Sequence, residues 1–321
     1  MNKLKIGVLG CANIAKRSVI PAINSITDYE LVAIASRTKT KAEEFAQEFS
    51  CEAIEGYQNL LDRDDIDVIY MPLPTGLHEE WVMNALEAGK HVLIEKTLAM
   101  NYESAHRMVE LARKKGLLIM ENFMFLYHGQ HQFVKDLINK GEIGDVRCFR
   151  SSFGFPPLDS DNFRYNKTLG GGALLDAAAY TVRASQLFLG NDIWVEAATL
   201  NNINTEVDLF GGAYLKADNG MFAEVAFGFD NFYQCNYEIW GSKGKIIAQR
   251  AFTPGVEFKP TITLEQQGEV FNYQIDAENH FTNILNEFKR CVIEKDVESK
   301  YEEILNQSRL LQELKDKSED E

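Results

Sequence analysis

The chain carries little positive charge for its size. Its 33 lysine and arginine residues stand against 48 aspartate and glutamate residues, and the formal net charge is −15 over 321 residues. A basic surface of the kind that binds nucleic acid is therefore not expected, and anionic membrane surfaces would repel the chain. We expect neither nucleic acid nor a membrane among its partners.

Cysteines, prolines and long hydrophobic runs are also scarce. The five cysteines include no Cys-x-x-Cys pair, and their odd number argues against a complete disulfide framework, so the cytoplasm is the expected compartment. No apolar run approaches the roughly 18 residues of a membrane span. With 7 prolines, 45% hydrophobic and 25% charged residues, the composition is typical of a globular protein.

Hydrophobic patterning predicts an α/β chain of two domains. Through the first 120 residues, short apolar runs alternate with helical patterns, which predicts an N-terminal Rossmann domain with a doubly wound parallel sheet. After about residue 145, alternating segments predict a C-terminal α+β domain with a large, mostly antiparallel open sheet, preceded by one long helix over residues 173–189. We place the cofactor-binding domain at residues 1–121, and the substrate-binding and oligomerisation domain at residues 122–321.

A turn of small residues follows the first apolar run. Residues 10–15 read Gly-Cys-Ala-Asn-Ile-Ala and lie before a predicted helix. Small side chains let the backbone approach a pyrophosphate, and the free N–H groups of the helix start can donate to its oxygens. This degenerate dinucleotide-binding fingerprint, with Ala12 and Ala15 replacing two glycines, gives four candidate cofactor residues: Gly10, Ala12, Asn13 and Ile14. A purely structural turn is the alternative.

The end of the second apolar run indicates which dinucleotide is favoured. NAD-binding chains usually place Asp or Glu there, whereas this chain has Ser36 and Arg37, with Lys41 one turn later. A carboxylate would repel a 2′-phosphate, while Ser36 and Arg37 can donate to it and Arg37 can stack on adenine. NADP is therefore favoured over NAD, and a solvated loop arginine is the alternative.

Two further groups follow strands at the same edge of the predicted sheet, where doubly wound folds bind ligands. Residues 71–78 supply the candidate cofactor residues Pro72, Leu73, Pro74 and His78, although a lone histidine is more often structural. Glu95 and Lys96, which are also candidate cofactor residues, follow the run at 91–94. A partly buried lysine there would be desolvated, which suits it to proton donation, with Glu95 anchoring it. An ordinary surface pair is the alternative.

Three glycines, Gly170 to Gly172, precede Asp176 and Tyr180 in the predicted helix. The glycines leave room for a ligand, and a spacing of four places Asp176 and Tyr180 on one helix face. An Asp and a Tyr in an apolar helix require partners, because burying them unpaired is costly. A proton-transfer pair satisfies this requirement, and a buried structural hydrogen bond is the alternative.

Taken in this order, the motifs resemble the glucose-fructose oxidoreductase and inositol dehydrogenase family (Gfo/Idh/MocA) over nearly the whole chain. The resemblance implies that Lys96 lies beside the nicotinamide and substrate, that Asp176 contacts the substrate or reacting group, and that Tyr180 passes the proton. Thr97 replaces a usual proline, and Leu126 replaces an arginine found in many members. Tyr180 replaces the histidine of many members, which points to the branches with tyrosine.

Residues 121–131, 163–165 and 237–241 are most similar to the nucleotide-sugar 3-ketoreductases that act on dTDP-linked deoxysugars. The resemblance implies substrate contacts from five residues: Lys96, Asn122, Arg164, Asp176 and Tyr180. Arg164 would meet a sugar pyrophosphate or form a surface ion pair. We therefore expect an NADP(H)-dependent oxidoreductase that reduces a keto sugar, with either Tyr180 or Lys96 as the proton donor.

Two other functions remain open from the sequence. A dehydrogenase of free sugars or trans-dihydrodiols would use the same residues in the oxidising direction. A non-catalytic, NADP-sensing regulatory protein would be expected to lack Lys96 or the Asp176 and Tyr180 pair, and this chain has all three.

Two weaker patterns complete the sequence-based expectations. His128 and His131 are three residues apart, but no acidic or cysteine ligands accompany them, so we expect no metal. Aromatic residues along the presumed sheet predict a core or a subunit interface, with sugar or base stacking as the alternative: Phe222, Phe227, Phe229, Phe232, Tyr233, Tyr237 and Trp240. An open sheet face must be covered, so we expect a homodimer or homotetramer formed through this sheet.

Overall fold

The computed structural model describes residues 3–319, which form two compact units. The first unit contains the chain up to Phe123 together with Phe281–Ser308, and the second contains Met124–His280 and the chain from Arg309 onward. Each unit is built around its own sheet. None of the helices between residues 3 and 319 combines the length and hydropathy that a membrane crossing requires.

A six-stranded parallel sheet forms the centre of the first unit. Its strands are β1 (Leu4–Leu9), β2 (Tyr29–Ser36), β3 (Glu52–Glu55), β4 (Val68–Met71), β5 (His91–Ile94) and β6 (Ile119–Glu121). The order β3-β2-β1-β4-β5-β6, with parallel pairing throughout, is the doubly wound Rossmann order, which confirms the predicted class. The helices between the strands are α1 (Ile20–Ser25), α2 (Lys39–Phe49), α3 (Tyr57–Leu61), α4 (His78–Glu87) and α5 (Tyr102–Lys115).

The second unit contains an eight-stranded sheet. Its strands are β7 (Val146–Gly154), β8 (Ile193–Asn201), β9 (Phe210–Ala217), β10 (Phe222–Gly228), β11 (Gln234–Gly241), β12 (Gly244–Gln249), β13 (Thr261–Gln266) and β14 (Glu269–Gln274). The order is β14-β13-β12-β11-β7-β10-β9-β8, and the pairing is antiparallel except between β7 and β10, which confirms the predicted mostly antiparallel sheet. Helices α6 (Gly129–Asn139) and α7 (Ala179–Leu189) belong to this unit.

The two C-terminal helices divide between the units, which differs from the expected division at residue 121. Helices α8 (His280–Glu294) and α9 (Glu298–Glu319) follow β14, and residues 281–308 pack with the first unit. The hydroxyl of Tyr29 donates to the carbonyl of Leu285 at 2.8 Å, and the hydroxyl of Tyr301 donates to the carbonyl of Leu117. The apolar face of a helix is visible in the sequence, but the sheet that this face covers is not.

Two of the expected helices differ in local geometry at the turns that follow the candidate glycine motifs. The helix after β1 begins with a π-helical turn at Ala15–Val19, and the helix predicted over residues 173–189 begins with a π-helical turn at Leu174–Ala178. The edge strands β3 and β14, the inner strand β12 and the helices α3 and α6 were not predicted. Neither edge strand shows the alternation of buried and exposed residues on which strand prediction depends.

A buried histidine joins α6 to the sheet of the second unit. His131 Nδ1 lies 3.0 Å from the hydroxyl of Tyr237, and its Nε2 lies 3.0 Å from the carbonyl oxygen of Ala251. One neutral tautomer satisfies both contacts, with Nε2–H donating to Ala251 and Nδ1 accepting from Tyr237. Burial lowers the pKa of His131 to about 3 and that of His280 also to about 3.

Because the buried histidines are neutral in the folded protein, we expect the free energy of unfolding to fall in mild acid. Because the folded pKa lies below the unfolded value of about 6.5, the stabilising contribution is fully present above pH 6.5 and is lost progressively as the pH falls toward about 3. We expect His131→Leu to cost about 1–3 kcal/mol at pH 7 and to give a shallower decline of melting temperature between pH 6.5 and 4.5. Thermal melts of both proteins across this range test the prediction. The exposed His106→Leu is the control, and an undiminished slope in His131→Leu would contradict the assignment.

Candidate active site

The turn after β1 has the geometry of a close-approach loop. Gly10 has a φ of 123°, and its N–H donates to the carbonyl of Ala35 at 3.0 Å. A Cβ at this position would lie 2.8 Å from a methyl carbon of Leu73, so a larger residue would strain the turn and displace its neighbour. Ala12 and Ile14 are partly buried and Asn13 is exposed, which leaves the loop accessible to a ligand.

The end of β2 presents cationic side chains to solvent. Ser36 is buried, and its carbonyl accepts the N–H of Gly56 at 2.8 Å, while Arg37 and Lys41 are exposed. No carboxylate occupies residues 36–38, where an NAD-binding chain would place one. The residues at this position therefore fit a dinucleotide that carries a 2′-phosphate.

His78 is fully buried and connects two loops at the carboxyl edge of the first sheet. Its Nε2 lies 2.8 Å from the carbonyl oxygen of Leu73, and its Nδ1 lies 2.9 Å and 3.1 Å from those of Thr97 and Leu98. Burial lowers the pKa of His78, whereas the carbonyl oxygens at both ring nitrogens favour the protonated ring, in which both nitrogens donate. The contacts support the structural alternative for His78, because the ring holds the loops of Leu73 and Lys96 instead of being exposed to a ligand.

Glu95 is held by two hydrogen bonds to its Oε1 atom. The hydroxyl of Tyr70 donates to this oxygen at 2.7 Å, and the side-chain amide of Asn122 donates to it at 2.6 Å. Burial raises the pKa of Glu95. Asn122 is buried, and its Oδ1 has no hydrogen-bond partner among residues 3–319, so it can accept from a donor that enters the site.

The neighbouring residues fix the backbone around Lys96. The N–H of Glu95 donates to the carbonyl of Met71 at 3.2 Å, and the N–H of Leu98 donates to a carboxylate oxygen of Glu121 at 2.7 Å. Lys96 itself is partly exposed, and the Lys96–Thr97 peptide bond is cis. The structure thus brings Glu95, Lys96 and Asn122 to the ends of neighbouring strands β5 and β6.

Sequence patterns did not single out Tyr70 or the anchoring role of Glu121. Tyr70 lies within the fully buried strand Val68–Met71. A tyrosine hydroxyl in such a strand requires a partner, and this requirement is the signal that identifies Tyr70 as part of the Glu95 cluster.

In the second unit, the glycine turn packs tightly against the segment before it. Gly172 has a φ of 113°, and its N–H donates to the carbonyl of Arg164 at 3.0 Å. A Cβ at Gly171 would lie 2.3 Å from that same carbonyl oxygen. Asp208 fixes the start of the helix, because its carboxylate accepts the N–H of Leu174 at 2.6 Å. The role of Asp208 was not predicted, since it depends on a contact between distant segments.

Asp176 and Tyr180 lie in different surroundings although they are four residues apart. The carboxylate of Asp176 accepts a hydrogen bond from Arg164 Nε at 2.6 Å. The ring of Tyr180 lies among three phenylalanine rings, with centroid distances of 5.8 Å, 4.8 Å and 5.8 Å to Phe125, Phe153 and Phe252. The pair therefore combines an ion-paired carboxylate with a phenol in largely apolar surroundings, an arrangement that suits proton transfer.

The buried histidines near α6 show no metal-site geometry. His128 accepts the N–H of Gln130 at the start of α6, and His131 is bonded to Tyr237 and Ala251. Within the described part of the chain, no group of three or more His, Cys, Asp or Glu side chains is arranged to hold a metal ion.

Family models match both parts of the chain. The model of an oxidoreductase family with an NAD-binding Rossmann fold matches residues 4–123, and the model of the GFO/IDH/MocA C-terminal domain matches residues 131–247. Together these matches extend over more than half of the sequence. They confirm the family resemblance found in the motifs.

Relatives and solved structures match nearly the full length. A dTDP-3,4-didehydro-2,6-dideoxy-alpha-D-glucose 3-reductase from Saccharopolyspora spinosa is 46% identical over 290 residues, which are 90% of this chain and 87% of that protein. A relative of the same name from Actinomadura kijaniata is 42% identical over 293 residues, with coverages of 91% and 88%. The structure of a 3-ketoreductase from Actinomadura kijaniata, in complex with NADP and TDP-benzene, has a TM-score of 0.95, 40% identity and 98% coverage of both chains.

Further structures of that 3-ketoreductase carry a Tyr-to-Phe and a Lys-to-Ala substitution. Along its sequence, the substituted lysine and tyrosine are separated by the same number of residues as Lys96 and Tyr180 are here. The fold, the two matched domains and the identity to relatives lead to one conclusion: the chain belongs to the GFO/IDH/MocA family of oxidoreductases.

Proposed function

We propose that this protein is an NADP(H)-dependent 3-ketoreductase that acts on a dTDP-linked keto-deoxysugar. The observation that carries the proposal is the retention of Lys96 and Tyr180, at matching separation, in a chain similar over nearly its full length to 3-ketoreductases of this substrate class. The buried carboxylate cluster near Lys96 and the Arg164–Asp176 pair near Tyr180 provide the surroundings that such a reaction requires.

NADP is the proposed cofactor, and the residues present fit it. Gly10 permits close approach of a pyrophosphate, while Ser36, Arg37 and Lys41 supply donors for a 2′-phosphate. Ala12, Asn13 and Ile14 complete the first loop. The segment Pro72–Pro74 forms the second loop, which His78 holds from its buried side.

Each catalytic residue has a defined part in the proposed reduction. When bound, NADPH supplies the hydride that adds to the keto carbon. Tyr180 gives its hydroxyl proton to the keto oxygen as the new C–H bond forms, and it regains a proton from solvent. Lys96 stabilises the developing negative charge on that oxygen or serves as the donor. Asp176 holds the sugar hydroxyls or orients Lys96, Asn122 contacts the sugar, and Glu95 anchors the segment that carries Lys96.

The sequence left two alternatives for Arg164, which were contact with a sugar pyrophosphate and an ion pair. The Arg164 guanidinium is bonded to Asp176, so contact with a pyrophosphate would require the ion pair to open or a second guanidinium edge to be used.

We also propose that the protein works in the cytoplasm as a homodimer or homotetramer formed through the eight-stranded sheet. All five cysteines are free thiols, which is typical of a reducing compartment. The exposed side chains on the sheet include Trp240. The guanidinium carbon of Arg150 lies 5.3 Å from the centroid of the Trp240 ring, and Arg150 also forms ion pairs with Glu224 and Glu238. A large aromatic residue among paired charges is a composition suited to a subunit interface.

Substitution of the two catalytic residues tests the proposed chemistry. We expect Lys96→Met and Tyr180→Phe each to lower kcat about 10²- to 10⁴-fold for NADPH-dependent reduction of the dTDP-linked 3-keto sugar, while the melting-temperature rise caused by NADP⁺ persists. NADPH absorbance and thermal melts provide the two measurements. Lys140→Met and Tyr273→Phe are the matched controls, and near wild-type turnover in both catalytic variants would exclude the assigned roles.

The cofactor assignment leads to a charge-reversal prediction at the end of β2. Because Arg37 is expected to donate to the 2′-phosphate, Arg37→Asp should weaken NADP⁺ binding about 10- to 100-fold and leave NAD⁺ binding within a few-fold. Dissociation constants from isothermal titration give the ratio directly. Arg107→Asp makes the same change of charge in the first unit and should leave the ratio unchanged. A parallel loss for both dinucleotides in Arg37→Asp would indicate a general effect on the loop.

A further inference from the structure

Arg164 occupies an ion pair within the second unit that is largely shielded from solvent. Its Nε donates to Asp176 Oδ2 at 2.6 Å, and the two side chains are 29% and 15% exposed. At such exposure the pair is screened less by water than a surface pair is, and removing either partner leaves a poorly solvated charge. The ion pair with Arg164 is therefore a structural feature that fixes the surroundings of Asp176.

The segment around Arg164 is built to hold this side chain in place. The N–H of Arg164 donates to the Asn162 side chain at 3.1 Å, and its carbonyl accepts the N–H of Gly172 at 3.0 Å. Gly171 lies so close that a Cβ there would be 2.3 Å from the Arg164 carbonyl oxygen. The guanidinium also stacks over the ring of Phe163 at 4.8 Å. Backbone and side chain are thus both fixed relative to the start of the helix that carries Asp176.

Arg164 stays charged in these surroundings. Burial disfavours the charged guanidinium, yet Asp176 holds the pKa of Arg164 above its ordinary value. Tyr180 packs against Phe125, Phe153 and Phe252, and charges act over longer distances in such apolar surroundings than in water. The other carboxylate at this helix start, Asp208, accepts the N–H of Leu174.

We propose that Arg164 is a positioning residue that keeps Asp176 ionised and oriented beside Tyr180, and that it acts on turnover through Asp176. This inference rests on the proposed ketoreductase function, and of the two alternatives for Arg164 it favours the ion pair over contact with a sugar pyrophosphate. In this arrangement Arg164 contributes little to the binding of the nucleotide diphosphate. Its loss slows the chemical step, because Asp176 becomes mobile and protonates more readily.

Single variants of Arg164 distinguish a role in positioning Asp176 from a role in binding the nucleotide diphosphate. We expect Arg164→Met to lower kcat about 10- to 100-fold with KM changed less than about threefold, and Arg164→Lys to recover part of kcat. A carboxylate that loses its cationic partner takes up a proton at higher pH, so the acid limb of the pH–rate profile should move to higher pH in Arg164→Met. The melting-temperature rise caused by dTDP, added at saturating NADP⁺, should persist. Arg147→Met, which removes an exposed arginine paired with Asp145, is the control.

A double-mutant cycle with Asp176→Asn tests whether Arg164 acts through Asp176. We expect Arg164→Met to change kcat less than about twofold when Asp176→Asn is already present. Additive losses, or loss of the dTDP response with a raised KM in Arg164→Met, would overturn the positioning role. If wild-type protein does not reduce the keto sugar at all, the proposed function fails and this inference fails with it. If the wild-type protein reduces the keto sugar but the effects of Arg164→Met and Asp176→Asn on kcat are not coupled, this inference alone is overturned.

Discussion

Parallel strand pairing is the constraint on which the candidate cofactor site of the first unit depends. Because all six strands of the first sheet run in one direction, the segments that leave β1, β2, β4 and β5 emerge at the same edge. The candidate cofactor residues all lie in these segments. Loops at such an edge need internal support, and His78 supplies it by placing its two ring nitrogens against the carbonyl groups of two different loops.

In the second unit, two polar side chains, those of Asp176 and Tyr180, lie within a largely apolar helix and need partners there. Tyr180 is enclosed by aromatic rings, and its neighbour Asp176 is balanced by the guanidinium of Arg164. Gly171 makes this possible because a Cβ at this position would overlap the carbonyl oxygen of Arg164. The same sequence feature that suggested space for a ligand therefore also serves to bring an arginine into place.

Much of this organisation is visible in the sequence. Apolar runs predicted the parallel sheet, and alternating segments predicted most strands of the second sheet, because buried positions impose a regular pattern. The motifs singled out Lys96, Asp176 and Tyr180 as candidate site residues, and this assignment stays a prediction. The contacts in the surrounding segments were less accessible. Tyr70, Glu121 and Asp208 bond to Glu95, Leu98 and Leu174, and no local pattern encodes these contacts between distant segments. The placement of residues 281–308 in the first unit was missed for the same reason, and so was the ion pair of Arg164.

We propose that this chain binds NADP together with a dTDP-linked sugar, and ligand-dependent thermal melting tests this binding most directly. A ligand present at about 100 times its dissociation constant stabilises the folded state by roughly 2.7 kcal/mol. We predict that NADP⁺ raises the melting temperature more than NAD⁺ does, and that dTDP raises it further at saturating NADP⁺. A response to NADP⁺ with none to dTDP would contradict the substrate class, and no response to either dinucleotide would contradict the account as a whole.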